Sequence, residues 1–339
     1  MATEVNSKAI MLNAITTALR QKGMTGSNPS VCAIACTKEG KIVAIGKTSY
    51  GGRPHAEVNV INSLKQLGTK ANRELVLFTT LEPCSHYGQT PPCTKAIIES
   101  NFFKKIIISC SDPDQRVNGK GITHLKDAGL EVESGILADI ASQDIYKEYF
   151  YARQNQIPYL SLKLATSLDG KIATSCGDSK WISGEQTRAW TNFKRSFYDG
   201  ILIGSGTYTS DSPKLTCRTK GMEAFSPKKF VLTNNLTSVK DDFNLLSGQD
   251  GIIAALKKIY HSGVNSLLVE GGAKIATSFL MQNLVQQLII IKSPILIGSD
   301  GIDGVRFLHT FGIGDAKKFT LQNHFNIGDD LVEVLTPCF

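Results

Sequence analysis

No run of this chain is apolar for the length of a bilayer, which excludes an α-helical membrane span. Its opening residues, "MATEVNSKAIMLNA", lack the basic, apolar and small-residue order of a secretion signal, so the expected location is the cytoplasm. No dense basic stripe or arm is present. The net charge of +7 is spread along the chain apart from short pairs such as Lys104–Lys105 and Lys228–Lys229. Nucleic-acid binders more often concentrate their cations, and there is no basic, aromatic face of the kind that grips single strands. A mild positive excess suits a small phosphorylated substrate at least as well. Internal repeats and low-complexity tracts are missing too. No disulfide framework is legible: Cys32, Cys36, Cys84, Cys93, Cys110, Cys176, Cys217 and Cys338 are scattered, several inside apolar runs, as suits reduced thiols.

What remains has the composition of a globular protein, with 42% hydrophobic and 20% charged residues. At 339 residues it exceeds one ordinary core and fits two domains. Residues 7–22 carry apolar side chains at helical spacing, with Asn6 or Ser7 as cap. "VCAIACT" and "KIVAIG" flank "KEGK" as a hairpin. A helix from about His55 to Leu67, the strand "ELVLFTT", a helix over 92–100 and the strand "KKIIISC" follow. Helices ending at Gly129 and spanning 137–149 complete a three-layer α/β domain over 1–151. The polar "ARQNQIP", ending in a proline, contains the expected linker at 152–157. Strands and helices alternate again over 158–339: strand 159–166, helix 184–196, "DGILIG", "KFVLT", helix 250–262, "SLLVEGG", helix 273–283 and "QLIIIKSPILIG".

The chemistry concentrates in "PHAE" and, downstream, "LEPCSHYGQTPPC". His55, Cys84 and Cys93 offer one imidazole and two thiolates, the nitrogen and sulfur donors that zinc prefers, with a fourth place left for water. Glu57 starts the same helical turn as His55, where it can move protons without ligating the metal. Histidine-x-glutamate, then proline-cysteine, then a further cysteine is the pattern of zinc nucleobase deaminases. Alone, His55 would read as a helix-end residue and the cysteines as packing thiols; the ordered set favours one zinc ion (Zn2+) per chain. His86 lies between the cysteines and reads as a substrate-facing or loop-ordering residue. Cys32 and Cys36 sit in an apolar strand and read as core. Eight residues separate Cys84 from Cys93, where generic deaminases have two.

That spacing, with "SNPSV", "DPD", "VNGKG", "LKLATSLDGKIAT", "GDSKWISG", "DGILIGSGT", "SPKLTCR" and "SLLVEGG", resembles the bifunctional deaminase/reductase of bacterial riboflavin biosynthesis over most of the chain. The resemblance implies an N-terminal cytidine-deaminase-like three-layer α/β/α domain followed by a dihydrofolate-reductase-like α/β domain. It implies zinc-dependent hydrolytic deamination of a phosphoribosylated diaminopyrimidinone, with Glu57 catalytic, then NADPH-dependent reduction of the ribosyl group to ribityl. By position, Asn28 would contact the pyrimidine. Ala165, Trp181, Thr207, Asp211 and Gly272 would line NADPH. Ser179, Arg195, Leu215, Arg218 and Glu270 would meet the second substrate, the arginines suiting a phosphate. The implied partner is a small phosphorylated pyrimidine, with neither nucleic acid nor membrane involved, and a homo-oligomer through the reductase domain stays open.

Several positions depart from that family's pattern. Thr48 stands where a substrate-touching histidine is usual, Gln89 where a lysine or arginine is usual, Cys32 for glycine and Thr233 for aspartate. "DPDQ" replaces a more typical D-P-N-P. The stretch between Leu232 and Leu267 is short by about one strand and helix. Two other functions are compatible with the sequence: a zinc deaminase acting on nucleic-acid bases, and a family member retaining one activity.

Overall fold

A computed structural model describes residues 6–306, 308 and 310–338; the domain ends expected at 1 and 339 lie outside the described residues. The chain divides into two compact units, Met1–Asn155 and Gln156–Phe339.

In the first unit, α1 (Ser7–Leu19) is capped by Asn6, whose side chain accepts from the Ala9 amide. Its buried stripe is Met11, Ala14, Ile15 and Ala18, the spacing of one helical face. There follow β1 (Cys32–Cys36), β2 (Ile42–Lys47), α2 (Ala56–Gln66), β3 (Leu75–Leu81), α3 (Cys93–Ser100), β4 (Phe103–Cys110), α4 (Lys120–Asp127), β5 (Glu131–Ser134), α5 (Ala138–Ala141) and α6 (Lys147–Asn155). The sheet order is β2-β1-β3-β4-β5. β1 runs antiparallel to β2 and β3, whereas β3–β4 and β4–β5 are parallel. Every residue of β1 is buried, as expected of a central strand covered on both faces. Cys32 and Cys36 lie here, in the core, and burial pushes the Cys32 thiol up to about 12.

One close approach fixes α2. A Cβ on Gly46 of β2 would lie 2.3 Å from the Ala56 carbonyl oxygen and 2.6 Å from the Val60 amide nitrogen. Both obstacles are backbone, so only a glycine lets the helix start that carries Glu57 settle on the strand. Gly46→Ala is therefore expected to lower stability by about 1–3 kcal/mol and to reduce zinc retention. Thermal unfolding and metal analysis of the purified variant check this; wild-type values for both would refute the close-packing account.

The second unit contains β6 (Tyr159–Thr166), β7 (Lys171–Ala173), α7 (Glu185–Lys194), β8 (Gly200–Gly204), α8 (Ser205–Asp211), β9 (Lys228–Thr233), β10 (Phe243–Ser247), α9 (Ile252–His261), β11 (Ser266–Glu270), α10 (Ala273–Met281), β12 (Gln287–Lys292), β13 (Ile302–Asp303), β14 (Phe319–Ile327) and β15 (Asp330–Pro337). Eight strands form one sheet in the order β10-β9-β8-β11-β6-β12-β15-β14, and β13 pairs with β7. From β10 to β12 neighbours are parallel. The β14–β15 hairpin joins antiparallel to β12. Parallel neighbours bring the carboxyl ends of β9, β8, β11 and β6 to one edge, where ligands of open α/β sheets bind.

Several local expectations change. The helix expected over 137–149 is present and continues to Asn155, with a π-helical turn at Ser142–Tyr146 between α5 and α6. The turn buries Tyr146, whose hydroxyl meets Thr80 Oγ1 at 2.6 Å and donates to the Ser30 carbonyl at 3.2 Å. Residues 152–155 of the expected linker are the last turn of α6, held by the buried Tyr149 and Ala152. The strand expected over 287–298 stops at Lys292, because Ser293 precedes a proline that cannot donate to a ladder. Between Leu232 and Leu267 the chain forms β10 as well as the expected helix.

Candidate active sites

In the first unit, β3 leads into the loop bearing Cys84, α2 starts immediately after His55, and α3 starts at Cys93. Three short elements thus converge their ends on one point. The His55 Nδ1 atom lies 3.3 Å from Cys93 Sγ and 3.7 Å from Cys84 Sγ. All three ligand atoms fall within 4.8 Å of one another, and no other such group occurs among the described residues. Tetrahedral bonds of about 2.0–2.3 Å place ligand atoms roughly 3.3–3.8 Å apart, so the donor set and its spacing fit zinc. The Cys93 amide donates to Cys84 Sγ at 3.3 Å. The Cys93 thiol and the His55 ring hold the Cys84 thiol well below its ordinary range, the state a metal ligand needs.

Glu57, 4% exposed, sits one helical step beyond His55. Burial pushes its carboxyl up, against the opposing pull of His55. Both residues open onto a cavity of about 300 Å3 that Asn28, Thr48, Arg53, His86, Gln89, Asp112 and Tyr149 also line. Asn28 Nδ2 donates to the Gly52 carbonyl at 3.1 Å. A Cβ on Gly52 would lie 2.2 Å from that nitrogen, and its φ of +93° also favours glycine. Thr48, 1% exposed, is committed to the scaffold: its hydroxyl accepts from the Val31 amide at 3.0 Å and its carbonyl from Gln21 at 2.7 Å. Gln89 is exposed on the cavity rim.

Two supports of this site were not singled out from the sequence. Glu82 accepts from the amides of Asp112, Gly119 and Ile122, anchoring the 112–122 loop. Asp112 accepts from the Tyr149 hydroxyl at 3.2 Å, and burial pushes its carboxyl up to about 6.

In the second unit, a cavity of about 1190 Å3 lies at the shared strand edge. Ala165, Ser179, Trp181, Arg195, Thr207, Asp211, Leu215, Glu270 and Gly272 all line it. Arg218 is exposed and is not in that lining, though its charge reaches Glu270. Leu215 is buried at φ +51°, a conformation unfavourable for a bulky side chain and the kind that clusters at ligand sites. Trp181 is 68% exposed, and the Arg188 guanidinium lies 4.6 Å from its ring centre, holding an otherwise free indole. Gly272 caps α10 at the cavity wall.

Arg195 is not a free phosphate ligand. It grips Glu270 with two parallel bonds, Nε–Oε1 and Nη2–Oε2, each 3.0 Å. Lys163 of β6 lines the same wall, and burial lowers its pKa, with Arg195 adding and Glu270 opposing. Burial alone would raise the Glu270 carboxyl, but Arg195 and Lys163 outweigh it and hold it below the usual range. Sequence reasoning passed over Lys163; its signal is a lone cation in the apolar strand "YLSLKLAT".

A deaminase-type N,S metal site in one α/β unit and a large strand-edge cavity in another define a two-domain deaminase–reductase. The family models agree: cytidine and deoxycytidylate deaminase zinc-binding region over residues 5–110, and RibD C-terminal domain over 158–332. The riboflavin biosynthesis protein RibD of Bacillus amyloliquefaciens is 36% identical, with 85% of this chain and 84% of that protein covered. Its Aquifex aeolicus counterpart is 32% identical, with 98% of each covered. A Thermotoga maritima structure, described as a diaminohydroxyphosphoribosylaminopyrimidine deaminase/5-amino-6-(5-phosphoribosylamino)uracil reductase, is 30% identical, with 98% of each chain covered and a TM-score of 0.85. The chain belongs to the RibD family of riboflavin biosynthesis proteins. It is a bifunctional enzyme with a cytidine-deaminase-like domain and a dihydrofolate-reductase-like domain, zinc and NADPH being the cofactors and a small molecule of the riboflavin pathway the substrate. Among the described residues, no helix is long and apolar enough to cross a membrane.

Proposed function

We propose that the first unit removes an exocyclic amine from the phosphoribosylated diaminopyrimidinone and that the second reduces the ribosyl group of the product to ribityl. The observation that carries the reading is the meeting of His55, Cys84 and Cys93 at one point, with His55, Cys84 and buried Glu57 lining one cavity. Zinc bound by those three residues supplies the Lewis acidity that makes water nucleophilic near neutral pH. Glu57 is the residue placed to take a proton from the attacking water and deliver it to the leaving amine; the net change would give the ring carbon an oxygen in place of its C–N bond, with ammonia as the leaving group. Asn28, held by Gly52, orients the pyrimidine ring.

In the second unit NADPH, when bound, would supply a hydride for C1 of the sugar. Ala165, Trp181, Thr207, Asp211 and Gly272 position the cofactor. Ser179, Leu215, Lys163 and the Arg195–Glu270 pair hold the sugar and ring, and Arg218, exposed outside the cavity lining, is the cation left for the phosphate. Unpaired cysteines throughout support a cytoplasmic setting, and the exposed edge strand β14 supports pairing of second units in a homo-oligomer.

Zinc-replete protein given the diaminopyrimidinone is expected to release ammonia, and then to oxidise NADPH in the same tube. Ammonia without NADPH oxidation would remove the reductase half of the reading. Oxidation only when the deaminated pyrimidine is supplied directly would remove the deaminase half.

A further inference from the structure

The first cavity has lost a cation at Gln89, yet its substrate, on the reading above, carries a phosphate. Three arginines line the cavity: Arg53, Arg116 and Arg153. Arg116 is committed to Asp114, with Nη2–Oδ2 at 2.6 Å and Nε–Oδ1 at 2.9 Å. Arg153 approaches the same carboxylate at 3.8 Å and lies 5.0 Å from the Tyr149 ring centre. Arg53 differs. No acid pairs with it among the described residues, and its Nε is buried with no hydrogen-bond partner, a feature that the Arg153 Nε shares although Asp114 lies beside that residue. Arg53 is half-buried, and an N–H taken from water without an acceptor is costly and is explained when a ligand completes it. His86 Nδ1, on the cavity wall, is buried and unpartnered too.

We infer that Arg53 is the phosphate-binding residue of the deaminase site, with His86 as a second donor, replacing the basic contact that Gln89 cannot make. Arg53 stands two residues before His55 and lines the cavity with it and Glu57. A planar guanidinium offers two parallel donors to phosphate oxygens, which a single amide at Gln89 cannot match. The inference rests on the phosphorylated-substrate reading and fixes how that substrate is recognised.

The test compares ammonia release from the phosphorylated diaminopyrimidine nucleotide and from the same compound lacking its phosphate. Arg53→Gln in the full, zinc-loaded chain should raise KM for the phosphorylated compound about 10- to 100-fold, with kcat within about twofold. It should leave the phosphate-free compound unaffected, and Arg53→Lys should recover part of the loss. Equal losses on both compounds, or no change on either, would overturn the assignment. Calorimetric titration with ribose 5-phosphate provides a readout that does not depend on turnover. A binding component present in the wild type should vanish in Arg53→Gln. If the wild type deaminates neither compound but that component vanishes, the phosphate site stands and the substrate reading falls. If no component vanishes, the inference itself fails.

Discussion

Glu57→Gln lowers ammonia release by about a hundred- to ten-thousand-fold while leaving zinc bound and NADPH oxidation of the deaminated pyrimidine intact. Glutamine matches glutamate in size, so α2 keeps its seat on Gly46 and the His55, Cys84 and Cys93 donors keep their spacing. What is lost is the carboxylate that accepts a proton and returns it. Burial already pushes this group up from its ordinary value, toward the range in which a carboxyl both takes and gives protons efficiently. The loss should appear in kcat more than in KM, because the proton is in flight only in the transition state. Retained ammonia release would show that another group moves the proton. Loss of zinc together with activity would show that Glu57 supports the metal site instead.

A second large effect is expected at Glu270. Glu270→Gln removes the anion that compensates Arg195 and Lys163, both set in the same wall. Removing one partner of such a pair costs about 3–5 kcal/mol, because an unmatched charge remains. In a unit of this size that corresponds to roughly 6–20 °C in melting temperature. Deamination by the first unit should persist. The double variant Arg195→Met/Glu270→Met should recover much of the stability without recovering reduction, since the substrate loses its polar contacts. A double variant whose loss equals the sum of the Arg195→Met and Glu270→Met losses would mean that the two contribute nothing as a pair. The sign with pH follows from the depressed carboxyl: its contribution is complete at neutral pH and is lost only in acid, as pH falls through the lowered folded value.

The first site was legible because its residues are defined by chemistry at fixed spacing. Histidine, glutamate and two cysteines announce a metal without any knowledge of packing, and the structure brings the three ligands together. The sheet was legible where strands are buried on both faces, as β1, β8 and β11 are. It was not legible at β14, where most residues are exposed and no apolar alternation marks the strand. The π-helical turn at Ser142–Tyr146 is equally silent, since Tyr146 there meets Thr80 and Ser30, far away in sequence. Arg195 illustrates a different limit. Sequence assigns it a phosphate by residue type, whereas the fold gives it Glu270.

Gly46 couples two roles to a single rigid piece. His55 and Glu57 flank the start of one helix, and that helix cannot shift on its strand. Metal ligation and proton transfer therefore move together or not at all. Among the positions that depart from the family pattern around this site, Thr48 and Cys32 are buried in the scaffold and stay fixed with it, whereas Gln89 is an exposed neighbour on the cavity rim. Substrate preference can drift through such neighbours across generations of the gene, while the bond that is cut stays the same.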